Sequence, residues 1–124
     1  MPTTEVPLNE WSLFFDSFSL RHEGWLVNLE VRDLADSPLK DEARALPLEG
    51  ISADEKDGEN LISISLGEDG ATRLRHEIKS PTSVRLIQTD DGADKAVEIA
   101  SSSGRTLLEF RIPARLDTLD EYIA

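Results

Sequence analysis

Between residues 60 and 112 the chain is a run of short alternating segments broken by turn residues, and this run constrains the fold most. Ile62, Ile64 and Leu66 alternate with serines, and Gly67-Glu68-Asp69-Gly70 forms a turn. Leu74, His76 and Ile78 alternate with Arg73, Arg75, Glu77 and Lys79. Beyond Ser80-Pro81-Thr82 stand Val84 and Leu86, then the loop Asp90-Asp91-Gly92. Val97 and Ile99 lead to Ser101-Ser102-Ser103-Gly104, and Leu108 and Phe110 complete the series. A period of two marks half-buried strands. Parallel crossovers take a dozen residues or more, so links this short predict antiparallel neighbours, a five-strand meander. In that arrangement the link at 80–82 pairs Lys79 with Ser83. It sets Ile78 opposite Val84 and His76 opposite Leu86 inside, with Glu77 facing Arg85 outside.

The first element reads as a helix. Asn9 is a good N-cap, and Trp11, Phe14, Phe15 and Phe18 make one apolar stripe. Arg21 and His22 suit the negative end of the helix dipole, and Gly24 supplies a left-handed stop. Four large aromatic groups on one face need an apolar partner, which must be the sheet. A strand follows with Trp25, Val27, Leu29 and Val31 on one face. Residues 33–42 read as a polar linker containing Pro38, residues 43–49 as a less regular strand, and residues 52–59 as an acidic loop. Pro47 cannot donate to a ladder, so its strand should lie at an edge or carry a bulge. After Pro113, the residues Leu116, Leu119, Tyr122 and Ile123 fit a short C-terminal helix covering Leu13 and Leu20.

The expected fold class is therefore α+β, a single domain over residues 1–124. An N-terminal amphipathic helix packs on a mainly antiparallel, strongly twisted β-meander of about seven strands, rolled into a partly open barrel. A chain of 124 residues with 39% hydrophobic and 31% charged side chains can build such a core without disulfides, and it has no cysteine. Residues 1–10 lack a basic segment followed by an apolar stretch, so no secretory leader is expected and the chain is assigned to the cytoplasm.

Charge excludes more than it assigns. The chain carries 25 acidic and 13 basic residues, net −12, which disfavours nucleic acid backbones and anionic lipid as partners. The acidity serves solubility first, and an acidic binding surface second. No membrane partner is expected, because no apolar run approaches the ~20 residues that span a bilayer.

Chemistry-bearing residues are few. His22 shares a helix face with Trp11 and Phe18, three residues before Trp25. It reads first as a helix-end histidine satisfying terminal carbonyls, and second as an acid or base beside an aromatic pocket. His76 points inward by strand parity with Gln88 on the same face, either as a hydrogen-bonded core histidine or as part of a ligand cavity. His22, Trp25, His76 and Gln88 are thus the candidate ligand pocket, between helix and sheet. Arg73, Arg75 and Arg85, with Lys79, should share the outer face of one hairpin and form the candidate partner surface. No catalytic residue is assigned. No metal is expected either: there is no helical His-Glu-x-x-His, and Lys56 and Gly58 occupy ligand positions of the calcium-like acidic loop. The segment Asp90-Asp91-Gly92-Ala93-Asp94 reads as turn chemistry. No phosphate-binding glycine loop, Gly-x-Ser-x-Gly elbow or cofactor signature is present.

Three strings carry a resemblance: Glu10-Trp11 with Phe14-Phe15, Phe18 and His22-Glu23-Gly24-Trp25; the segment Leu46-Pro47-Leu48-Glu49-Gly50-Ile51-Ser52-Ala53-Asp54; and Gln88-Thr89-Asp90-Asp91-Gly92-Ala93-Asp94. Together they resemble a family of short acidic bacterial proteins, the domain of unknown function 5335. The resemblance implies bacterial origin and one common architecture, and it is weakest over residues 33–42. It brings no activity or ligand with it. The expected role is a non-enzymatic binding or interaction module, engaging a protein partner or a second copy of itself. The alternative is a small-molecule binder with its pocket between helix and sheet. An enzyme or a DNA-mimicking acidic protein ranks lower.

Overall fold

The computed structural model describes residues 2–33, 38–56, 58–68 and 71–114. One helix, α1 (Trp11–His22), packs on an open eight-stranded antiparallel sheet. The strands are β1 (Thr3–Val6), β2 (Leu26–Arg32), β3 (Pro38–Lys56), β4 (Glu59–Glu68), β5 (Ala71–Lys79), β6 (Pro81–Gln88), β7 (Asp94–Ser101) and β8 (Gly104–Ala114). All five strands expected after residue 60 are present. The expected C-terminal helix lies outside the described residues.

The strand order β1-β6-β7-β8-β2-β3-β4-β5 keeps consecutive antiparallel neighbours in β2 to β5 and in β6 to β8, and breaks the expected five-strand run only between β5 and β6. β5 pairs only with β4, and β6 lies between β1 and β7. Val84 therefore faces Val6 and Arg85 faces Glu5, where the sequence suggested Ile78 and Glu77. The physical reason sits at Ser80-Pro81. Ser80 takes a left-handed φ of +50°, and its N–H donates to Asn60 O, which holds the chain at the end of β4. Pro81 has no N–H and restricts the residue before it, so the chain turns a corner where a hairpin was expected. The vacated edge of β6 is taken by β1, the eighth strand, whose four residues show little alternation in sequence.

A one-residue corner linking β5 to β6, near opposite ends of the strand order, requires the sheet to curl on itself. A hydrogen bond of 3.3 Å between His76 on β5 and Thr106 on β8 crosses the resulting roll. The interior is filled by Phe15, Phe18, Val27, Leu29, Ile62, Ile64, Leu66, Val84, Val97, Ile99 and Leu108, all essentially buried. Strand parity places these residues as expected, and α1 seals them.

The helix's buried stripe is Trp11, Phe15, Phe18 and His22, with Phe14 half-buried at its flank. Its start is set by Trp11, not by an Asn9 cap. A 3-10 turn, Leu8–Glu10, leads in without a side-chain cap, and the buried Trp11 indole N–H donates to Val6 O at 2.8 Å. Gly24 adopts φ +87° as expected of a helix stop, and its N–H donates to Leu48 O.

β3 runs 19 residues, so it absorbs part of the expected linker and most of the acidic loop. It lies inside the sheet, and its irregularity appears as bulges. Ala45 has φ +55°, its N–H is met by the Asn28 side chain at 2.8 Å, and the register slips near Leu29 and between Leu48 and Gly50. Of the two options Pro47 left open, the bulge is realised.

Candidate functional site

The densest polar chemistry lies where α1 ends. His22 is completely buried and its ring is enclosed by aromatic groups, with centroids 4.3 Å from Phe18, 5.0 Å from Phe110 and 6.0 Å from Trp25. Nδ1 lies 2.8 Å from Phe18 O, one turn back along the helix. Nε2 lies 3.0 Å from Asp94 Oδ2, close enough for an ion pair but off-line for an aligned N–H hydrogen bond. The other carboxylate oxygen accepts from Gln88 Nε2 at 2.9 Å. Both ring nitrogens thus face oxygen atoms, Phe18 O on one side and the Asp94 carboxylate on the other.

Asp94 is equally enclosed, its side chain 7% exposed. Burial by itself raises a carboxyl's pKa. Here the close approach of His22, the hydrogen bond from Gln88 and the charge of Arg21 outweigh burial and hold Asp94 below its ordinary value. This carboxylate was read in sequence as turn chemistry, which holds for its neighbours: Thr89 binds Asp91 and the backbone of Ala93, and Gly92 takes φ +91°. Asp94 departs because Gln88 pairs with Asp94 while Ile87 pairs with Ala96, so Lys95 is bulged. The extra residue turns Asp94 toward His22, and alternation from Val97 cannot reveal it.

Of the four expected pocket residues, His22, Trp25 and Gln88 therefore converge, through Asp94. They form an aromatic and polar cluster in which His22 and Asp94 are buried and Trp25 and Gln88 are partly buried. His76 lies apart from them. With Thr106 it lines a pocket of about 330 Å³ at one mouth of the roll, together with Val31, Arg32, Lys79, Arg105 and the serine hairpin before Gly104.

A larger cleft, about 590 Å³ and open to solvent, lies where α1 meets the sheet. Asp16, Ser19 and Leu20 come from the helix, Glu49 to Ser52 from the bulged part of β3, Ser63 and Ser65 from β4, and Arg75 from β5. Ser19 stitches the wall together, its hydroxyl donating to Ile51 O at 3.0 Å and accepting from Ile51 N–H at 2.8 Å. The serines sit opposite the buried Ile62, Ile64 and Leu66, so the same alternation that fills the core furnishes a polar floor.

The basic hairpin face is split, because β5 and β6 do not pair. Arg73 and Arg75 lie on β5, while Arg85 lies on β6 between Glu5 at 3.8 Å and Glu98 at 3.9 Å. Glu98 also binds Arg105 at 3.0 Å, giving a charge ladder across β1, β6, β7 and β8. Only Arg75 of the three expected partner residues lines the cleft. Among the described residues no group of three or more metal-ligating side chains is gathered, and no helix is long and apolar enough to cross a membrane.

Neither the comparison with curated proteins nor that with solved structures gave a match. A family model does match over residues 2–119, spanning all three of the sequence strings and every strand described above. The chain belongs to the DUF5335 family, a family of unknown function.

Proposed function

We propose that this chain is a non-enzymatic binding module of the bacterial cytoplasm that engages a protein segment in the cleft between α1 and the sheet. The observation that carries the reading is the pairing of an open polar groove with a bare anchor. Leu20, 81% exposed, stands on the wall of a cleft that is also lined by Asp16, Glu49 and Arg75 and by four serines, of which Ser19 is already bonded to Ile51. Protein interfaces are built this way, with an apolar anchor surrounded by a polar rim. The cleft is too open to enclose a drug-sized molecule, which favours an extended segment over a small ligand. The sealed His22–Asp94 pair supports a structural use for the chain's most reactive-looking groups.

Photo-crosslinking tests the reading. A benzophenone side chain at position 20 should yield one discrete adduct in the native host, either to another protein or to a second copy of the chain. The same group at Thr82, exposed on β6, should not yield it. Identical adducts from both positions, or none from position 20, overturn the proposal.

A further inference from the structure

We infer that the open edge of β5 is a strand-addition site, which takes an extended segment of another protein bearing carboxylates at alternate positions. The inference rests on the reading of this chain as a binding module and adds how a partner's backbone is held. β5 ends the strand order and pairs only with β4. The opposite edge, β1, is four residues long, as protected edges commonly are, whereas β5 runs for nine. Ser80 N–H donates to Asn60 O, which fixes the phase of the ladder. Alternation then gives Ile78 and His76 their backbone bonds to β4, and turns the N–H and C=O of Lys79, Glu77 and Arg75 toward the open side.

The side chains repeat the pattern. Arg75, Glu77 and Lys79, with Arg73, share the outer face and are exposed. On β4 the first three lie beside Ser65, Ser63 and Leu61, which carry no charge. Among the described residues none of the four forms an ion pair. Arg85, inside the sheet, shows the contrast, with Glu5 on one side and Glu98 on the other. The inner row agrees: Leu66 and Ile64 are completely buried, but Leu74 and His76 beside them on β5 are half-buried, as at a sheet lacking its next strand. An antiparallel strand with acids opposite Lys79, Arg75 and Arg73, a base opposite Glu77 and small apolar groups on the inner side completes both faces. A second copy of β5 fits less well, because a two-fold pairing opposes like charges, either Arg75 with its own copy or Arg73 with Lys79. The net charge of −12 does not decide the contact, since salt screens charges beyond ~8 Å.

Hydrogen exchange followed by amide NMR on the full chain tests this with capped peptides. The probes are Glu-Val-Lys-Thr-Glu-Val-Glu, its charge-reversed form Lys-Val-Glu-Thr-Lys-Val-Lys, and the acidic peptide N-methylated at its first, third and fifth residues. The acidic peptide should bind saturably and slow exchange at Arg75, Glu77 and Lys79 about tenfold near saturation, leaving the Ile78 amide unchanged. The N-methylated form should not bind, and Lys79→Glu should weaken the acidic peptide about tenfold. The same spectra report whether the variant is folded. Equal or tighter binding of the reversed peptide, binding of the N-methylated form, or no protection by any peptide overturns the proposal; in the last case the charges only guard an open edge. Protection of these amides that grows with protein concentration alone assigns the edge to a second copy and overturns it too. None of these readouts uses the adduct at position 20, so the edge and the cleft can fail separately.

Discussion

The two histidines make an instructive pair. His22 and His76 each lie on the inner side of the fold and each meets a polar side chain, yet they occupy opposite kinds of environment. His22 is enclosed by Phe18, Trp25 and Phe110, with Nδ1 against Phe18 O and Nε2 beside the Asp94 carboxylate. His76 sits on the wall of an accessible mouth, with Thr106 Oγ1 at 3.3 Å among its contacts. In the first setting the low dielectric strengthens a satisfied network and makes a broken one costly. In the second, water substitutes for whatever is lost. A buried polar cluster therefore contributes more to specifying the fold than a rim cluster does.

That contrast sets an order of effects. Phe18→Ala opens the aromatic box and the core together, and should cost about 4 kcal/mol in urea unfolding. Asp94→Ala leaves His22 and Gln88 without their shared partner inside the protein, and about 3 kcal/mol is expected. At the mouth, Gly104→Ala should cost about 2 kcal/mol through its strained φ and the contact with Arg32 O. His76→Ala should cost about 1 kcal/mol. Equal losses for Asp94→Ala and His76→Ala would break the distinction between the two environments. Arg85→Ala should cost about 0.5 kcal/mol and lose even that in salt, since its partners are 3.8 and 3.9 Å away on an exposed face.

Acid sharpens the same comparison. Asp94 has its folded pKa depressed below 3.8, so its stabilising contribution is complete above that value and is lost as pH falls through the lower, folded one. Urea midpoints followed from about pH 5 to about pH 2 should drop for the native chain and drop less for Asp94→Asn. Parallel curves for the two proteins would show that Asp94 carries none of the acid sensitivity.

Much of this was legible in the residues. Ile62-x-Ile64-x-Leu66 and Val97-x-Ile99 announce strands by period, and their inward side is buried as alternation requires. Phe15 and Phe18 announce a helix face in the same way. Neither site was readable as assembled. Asp94 reaches His22 only because a bulge at Lys95 reverses its side, and Val31 meets Thr106 only because β2 and β8, more than seventy residues apart, are neighbours. The mouth gathers β2, β5 and β8, and the cleft gathers α1, β3, β4 and β5.

The sequence by itself determined which stretches become strands and helix, and which side of each faces inward, because those depend on the spacing of apolar groups along a few consecutive residues. Only the tertiary structure decided which strand lies beside which. Short links make hairpins the local default, but Pro81 removes a donor at the corner and β1 claims the edge of β6, so pairing was settled between segments distant in the chain. Both candidate sites, and the enclosure of His22, follow from that pairing.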